Sequence, residues 1–195
     1  MADVTAVSTA ILAGGLGTRI GGDKGLHLLR GKALIDWVLE AISKQSNEVL
    51  ISANANQNEY AARGYRVIPD QISEQAGPLA GLQAALLVAR YDLIACVPCD
   101  TPFLPGDLIA RLSNAIHPSS EAAVAVTDGQ RQPTIALYRK DVLPKLDAYL
   151  DSGARKVGDW LNTLQISDVV FEDAAAFSNI NSLEELAMAN RMTQT

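Results

Sequence analysis

With 195 residues, 48% of them hydrophobic and 19% charged, the chain is of ordinary globular composition and long enough to bury a core without disulfide or metal staples. Its 16 Lys and Arg against 22 Asp and Glu give a formal net charge of −6, which excludes a global positive field for a nucleic-acid backbone, so any phosphate site must be local. The apolar stretch from Ala6 to Ala13 is too short to cross a bilayer and no basic segment precedes it, so no membrane association is expected and the cytoplasm is the expected compartment.

Apolar runs of strand length alternate with helical periodicity through the first two thirds, which predicts an α/β fold with a parallel sheet, residues 1–195 forming one domain. Thr5 to Leu12 reads as a first strand running into a glycine-rich turn. Leu34, Ile35, Val38, Leu39 and Ile42 then fall at helical spacing, and Glu48 to Ala53 returns as a strand. Tyr65 to Pro69 is another short strand. Gly77-Pro78 opens a helix marked by Leu79, Leu82, Leu86 and Ala89, with the proline suited to its first turn.

Leu93 to Val97 reads as a buried strand, Leu108 to Leu112 as a helix and Ala122 to Thr127 as a strand. Asp128-Gly129 separates that strand from Pro133 to Tyr138, which pairs either as an antiparallel hairpin or as an edge addition to a mixed sheet. Helices follow around Val142 to Leu150 and Lys156 to Leu164, then a strand from Ile166 to Phe171. Ser182 and Glu185 have the spacing of a capping box for a last helix.

The densest chemical signal is the segment from Leu12 to Lys24, with glycines at 14, 15, 17, 21 and 22 directly after the first strand. Glycines allow positive φ and close approach, so backbone N–H groups converge on a polyphosphate there, while the Arg19 fork and the compact Lys24 charge offset its anions. Neither a Walker A motif nor a dinucleotide GxGxxG fits: no Gly-Lys-Ser/Thr closes the loop, and Gly15, Gly17 and Gly21 are wrongly spaced. Asp100 follows the strand Leu93 to Val97 and so emerges at the same carboxyl edge, where open α/β sheets bind ligands. A hard carboxylate beside a triphosphate suits magnesium. Asn54 and Asp70 lie just past two further strands on that edge.

Cys96 and Cys99 form a CxxC that closes an apolar strand instead of opening a helix, which argues against a redox motif; a zinc site lacks a second pair, since His27 and His117 lie far off.

These residues resemble the molybdenum cofactor guanylyltransferases, through LAGGLGTRIGGDKG at 12–25, the Asn54 loop, VIPD at 67–70, GPLAGL at 77–82, PCDTPFL at 98–104, QPTIALY at 132–138 and FSNINSLEEL at 177–186. The resemblance implies a Rossmann-like three-layer α/β/α sandwich, mostly parallel, with a small antiparallel addition in the C-terminal third. It implies that Leu12, Ala13, Gly14 and Gly15 with Lys24, Asn54, Asp70 and Asp100 contact GTP, that Arg19 meets the phosphates, and that Asp100 binds magnesium, with manganese as a substitute. Gly22, Gly77, Gly81, Asn179 and Asn181 then line the same cleft, and Arg19, Lys24 and Asp100 are the catalytic set.

The reaction so implied is attack of the molybdopterin terminal phosphate on the α-phosphorus of GTP, with release of pyrophosphate; other proteins of molybdenum cofactor biosynthesis, or acceptor proteins, are further partners. AGGLGTRI equally resembles sugar-phosphate nucleotidyltransferases, and relatives that attach cytidine often carry Asp-Met-Pro where this chain has Asp100-Thr101-Pro102. A GTP-binding regulatory module without turnover is the rival of another class. Arg131, Arg155 and Lys156 are candidates for the pterin, or solvated charges.

Overall fold

The computed structural model describes residues 6–14, 22–72 and 77–191. They build a seven-stranded sheet with helices on both faces. In chain order the strands are β1 (Val7–Leu12), β4 (Glu48–Ser52), β5 (Arg66–Ile68), β6 (Leu93–Pro98), β7 (Ala122–Thr127), β8 (Gln130–Arg139) and β9 (Ile166–Val170); a separate hairpin pairs β2 (Leu28–Leu29) with β3 (Lys32–Ala33). The helices are α1 (Leu34–Ile42), α2 (Gln57–Ala61), α3 (Pro78–Val88), α4 (Leu108–Asn114), α5 (Leu143–Asp151), α6 (Val157–Leu161) and α7 (Leu183–Arg191). None is long and apolar enough to cross a membrane.

Sheet order is β5-β4-β1-β6-β8-β7-β9, with β8 alone antiparallel to its neighbours. The central strands are largely apolar because both faces are covered; the buried Ser8 and Thr9 of β1 have their hydroxyls paired with Glu48 and Ser46. In β1, Val7 and Ile11 face the core packed by α1 and α4, whereas Ala10 faces the one packed by α3, α5 and α6. From β1 the chain winds out to β4 and β5, then returns across to β6 on the other side of β1. The crevice between the carboxyl ends of β1 and β6 is therefore the topological switch point, the place where such sheets take ligands.

Of the two expected arrangements for the antiparallel segment, the hairpin with β7 is the one formed, but β8 is interior and longer than Pro133 to Tyr138. It fills the gap left when α4 carries the chain from β6 past one strand position. Asp128 and Gly129, both at positive φ (49° and 72°), make the tight turn. The helix expected over Lys156 to Leu164 contracts to Val157–Leu161, because the Thr163 hydroxyl and amide both donate to the Trp160 carbonyl and close it with a turn. At α7 the capping box forms: Glu185 N donates to Ser182 Oγ at 3.1 Å and Ser182 N to Glu185 Oε2 at 3.2 Å.

Candidate active site

Four adjacent strands deliver four segments to one edge of the sheet. Ala13 and Gly14 leave β1, Asn54 follows β4, Asp70 follows β5, and Asp100 follows β6. Short backbone bonds carry the sheet's register into these exits: Ala13 N donates to Ser52 O (2.8 Å), Ala53 N to Ile68 O (3.0 Å) and Cys99 N to Leu12 O (3.1 Å).

Two polar groups stand on this edge. The first is centred on Asp100, only 7% exposed. Lys24 Nζ donates to Asp100 Oδ2 at 3.0 Å and to Asn181 Oδ1 at 2.6 Å. Asp100 Oδ1 is buried and has no hydrogen-bond partner among the described residues. The C-terminal segment is pinned here because Ile180 N donates to the Asp100 carbonyl (2.9 Å) and Thr101 Oγ1 donates to Asn179 Oδ1 (2.6 Å). The second group is centred on Asp70, whose carboxylate accepts from Ser52 Oγ (3.1 Å) and Asn54 Nδ2 (2.9 Å), while Asp70 N donates to Asn54 Oδ1 (2.9 Å). Gly14 lies against this pair: a Cβ there would sit 3.6 Å from Asn54 Nδ2 and 3.7 Å from Asp70 Oδ2.

Most residues singled out from the sequence are therefore brought together: Leu12, Ala13, Gly14, Asn54 and Asp70 on one side of the switch point, Lys24, Asp100, Asn179 and Asn181 on the other. Gly22, at φ 118°, leads into Asp23 and Lys24. Gly77, at φ 61°, precedes Pro78 at the start of α3. One turn on, Gly81 faces Leu12 and Ser52 so closely that its absent Cβ would meet Ser52 Oγ at 2.6 Å, so α3 touches the ends of β1 and β4. Gly15 and Arg19 lie outside the described residues. Arg131 is engaged by Asp168 through both ends of its fork (2.7 and 3.1 Å), and Arg155 donates to the carbonyls of Leu150 and Ala154.

The sequence reading missed Ser52, Thr101, Asp23 and Tyr60. Asp23 caps the short 3-10 turn that bears Lys24, and Tyr60 of α2 donates its hydroxyl to Asp23. Their partners lie tens of residues away, so only the folded chain makes the pairings visible; Ser52 alone carried a signal, as a polar side chain at the end of an apolar strand.

Both cysteines are free and buried. Cys96 belongs to the α3-side core and Cys99 to the α1-side core, so the sheet lies between the two thiols. Burial pushes the Cys96 pKa up to about 12 and raises that of Cys99 well above the usual thiol range.

The cluster of strand exits at the switch point brings together a lysine, a buried carboxylate and Gly14, the kinds of group that phosphates and hard cations use. The family model for the MobA-like NTP transferase domain matches residues 9–166. The class is thus a nucleotidyltransferase. The chain is 44% identical over 189 residues to a molybdenum cofactor guanylyltransferase of Cupriavidus metallidurans, covering 93% of each chain. It is 45% identical over 196 residues to one of Burkholderia ambifaria, covering 95% of this chain and 96% of that one. The crystal structure of molybdopterin-guanine dinucleotide biosynthesis protein A from Archaeoglobus fulgidus superposes with a TM-score of 0.77 at 25% identity, covering 95% and 97%. The protein belongs to the molybdenum cofactor guanylyltransferase family.

Proposed function

We propose that this enzyme transfers GMP from GTP to the terminal phosphate of molybdenum-loaded molybdopterin, giving the guanine dinucleotide form of the cofactor and pyrophosphate. The observation that carries the reading is the Lys24–Asp100–Asn181 cluster at the switch point, with Asp100 Oδ1 buried and unpartnered among the described residues. Relatives at 44% and 45% identity, named as guanylyltransferases, support GTP as the nucleotide.

The donor set fits a magnesium ion. A buried carboxylate oxygen that no described residue hydrogen-bonds is a hard ligand suited to a cation, and magnesium is usually held by one or two carboxylates together with substrate phosphates and water. No group of three or more His, Cys, Asp or Glu forms a cage among the described residues, so the substrate and water would complete the shell. Asp100 would hold the ion, with manganese as a substitute. Bound there, it would neutralise phosphate charge and make the α-phosphorus more electrophilic.

The chain's own residues do the rest by positioning and charge. Lys24, with a quarter of its side chain exposed, is near enough to solvent to exchange a protein partner for a phosphate oxygen, and Asn181 orients it. Arg19 serves the phosphates from the glycine-rich loop. Asp70, held by Ser52 and Asn54, presents acceptors to N–H and O–H donors of the nucleoside. The attacking phosphate oxygen forms a bond to the α-phosphorus as the bond to the bridging oxygen of pyrophosphate breaks. That nucleophile carries a second ionisation near pH 6, so no general base is required. GTP and molybdopterin are the small-molecule partners, and the cytoplasm is the proposed compartment.

Incubation with GTP, magnesium and molybdopterin should release pyrophosphate and form the guanine dinucleotide, with CTP giving little product. A preference for CTP overturns the guanylyl assignment. No pyrophosphate with either nucleotide overturns the transfer reaction.

A further inference from the structure

Lys24 has a second support, through the short turn that bears it. Its turn begins at Asp23, and each oxygen of that carboxylate is used. Oδ1 accepts from Gly25 N at 3.2 Å and from the Tyr60 hydroxyl; Oδ2 accepts from Asn56 Nδ2 at 3.2 Å. Asn56 stands at the start of α2 in the left-handed region, φ 49°, and makes no side-chain cap for its own helix. A residue of that type at a helix start usually caps through its oxygen; here it is the Nδ2 that is engaged, donating to Asp23.

Tyr60 is fully buried. Its ring lies beneath Arg63, whose guanidinium carbon is 5.8 Å from the ring centroid and whose fork is held by Asp36 of α1 at 2.5 and 3.3 Å. A rotamer fixed in this way aims the phenol hydroxyl at one place. Gly25 shows how tightly: a Cβ on it would stand 2.5 Å from the Tyr60 hydroxyl oxygen and 3.3 Å from Cys99 Sγ, so no other residue fits without a shift. Burial also raises the phenol's pKa far above its ordinary value, which keeps it a donor.

We propose that Tyr60 and Asn56 are positioning residues that clamp Asp23 and thereby set the Lys24 ammonium at the Asp100–Asn181 cluster, so that α2 serves nucleotide binding without touching the nucleotide. The inference rests on the reading of Lys24 as a phosphate-binding lysine. Loss of one hydrogen bond to the half-buried Asp23 carboxylate is expected to weaken the binding of magnesium-GTP by roughly tenfold when it is coupled to Lys24 in this way.

The test is a double-mutant cycle read by calorimetric titration with magnesium-GTP, beside a thermal melt of each variant. Tyr60→Phe removes only the hydroxyl, and Asn56→Gly removes the amide while tolerating the positive φ. Each should weaken GTP binding in a folded protein, and Tyr60→Phe should add nothing to the loss in Lys24→Ala. A role confined to stability would lower the melting temperature and leave binding unchanged. Wild-type binding by a folded Tyr60→Phe, or additive losses in Tyr60→Phe with Lys24→Ala, overturns the clamp while Lys24 keeps its role. Should Tyr60→Phe fail to fold, the same cycle with Asn56→Gly decides. If Lys24→Ala itself binds GTP like the wild type, the phosphate role of Lys24 falls and the clamp falls with it.

Discussion

Cys96 turns its thiol into the α3-side core and Cys99 turns its own into the opposite one, so neither is offered to a partner thiol or to solvent. The folded protein should resist iodoacetamide at pH 8 and react at both positions once unfolded, which mass spectrometry checks; rapid labelling of the native protein would contradict the burial. The pH dependence has a definite sign. The Cys96 pKa stands near 12 in the fold against 9.0 for the free thiol, so its contribution to stability is intact below pH 9 and is lost as pH rises toward 12. A CxxC placed after strand residues already pointed away from redox chemistry. Asp100, Asn54 and Asp70 were legible for a similar reason: each directly follows an apolar strand, and strand ends of one sheet share an edge. Asp23 and Tyr60 were not, because Asp23 looked like one more residue of a glycine-rich loop and Tyr60 like an aromatic in a helix too short to show a period.

The contact of α3 with the sheet shows what one element contributes to the site. Gly81 lets the helix press onto Leu12 and Ser52, and Ser52 in turn supports Asp70. Gly81→Ala places a methyl 2.6 Å from Ser52 Oγ and 2.8 Å from Leu12 Cδ2, so the helix or the strand ends must move. The expected cost is about 1–3 kcal/mol in a denaturant titration, with weaker GTP binding because Ser52 no longer meets Asp70 squarely. An alanine variant as stable as wild type and binding GTP equally well would show that α3 has slack here. The long strands and helices were readable because both cover a core and so keep their periods. The hairpin of β2 and β3 was hidden: Gly31 (φ 77°) supplies one turn position, but Arg30 occupies the other left-handed one (φ 54°) where Asn or Gly is usual, and its N–H is held by Asn190 Oδ1 of α7 at 2.6 Å. Tertiary contact there supplements a weak local signal. The interior place of β8 was equally unreadable, since a hairpin pattern gives the pairing with β7 but not the neighbour on the other side.

Across the whole molecule, the strand order converts distant segments into one edge. Gly14, Asn54, Asp70 and Asp100 are neighbours because β5, β4, β1 and β6 are neighbours, and Asn179 and Asn181 join them from near the end of the chain through the Ile180 bond to the Asp100 carbonyl. Asp100 is the centre of this edge, one oxygen engaged by Lys24 and the other buried without a partner among the described residues. Steady-state kinetics of Asp100→Asn over a magnesium titration, with a thermal melt alongside and Lys24→Ala as comparison, tests its role most directly. The amide keeps the size and removes the charge. Turnover should fall by roughly a hundredfold or more with a melting temperature close to wild type, whereas Lys24→Ala should weaken nucleotide binding as well as turnover. An Asp100→Asn enzyme with near wild-type kcat and an unchanged response to magnesium would contradict the account and return Asp100 to an ordinary turn residue.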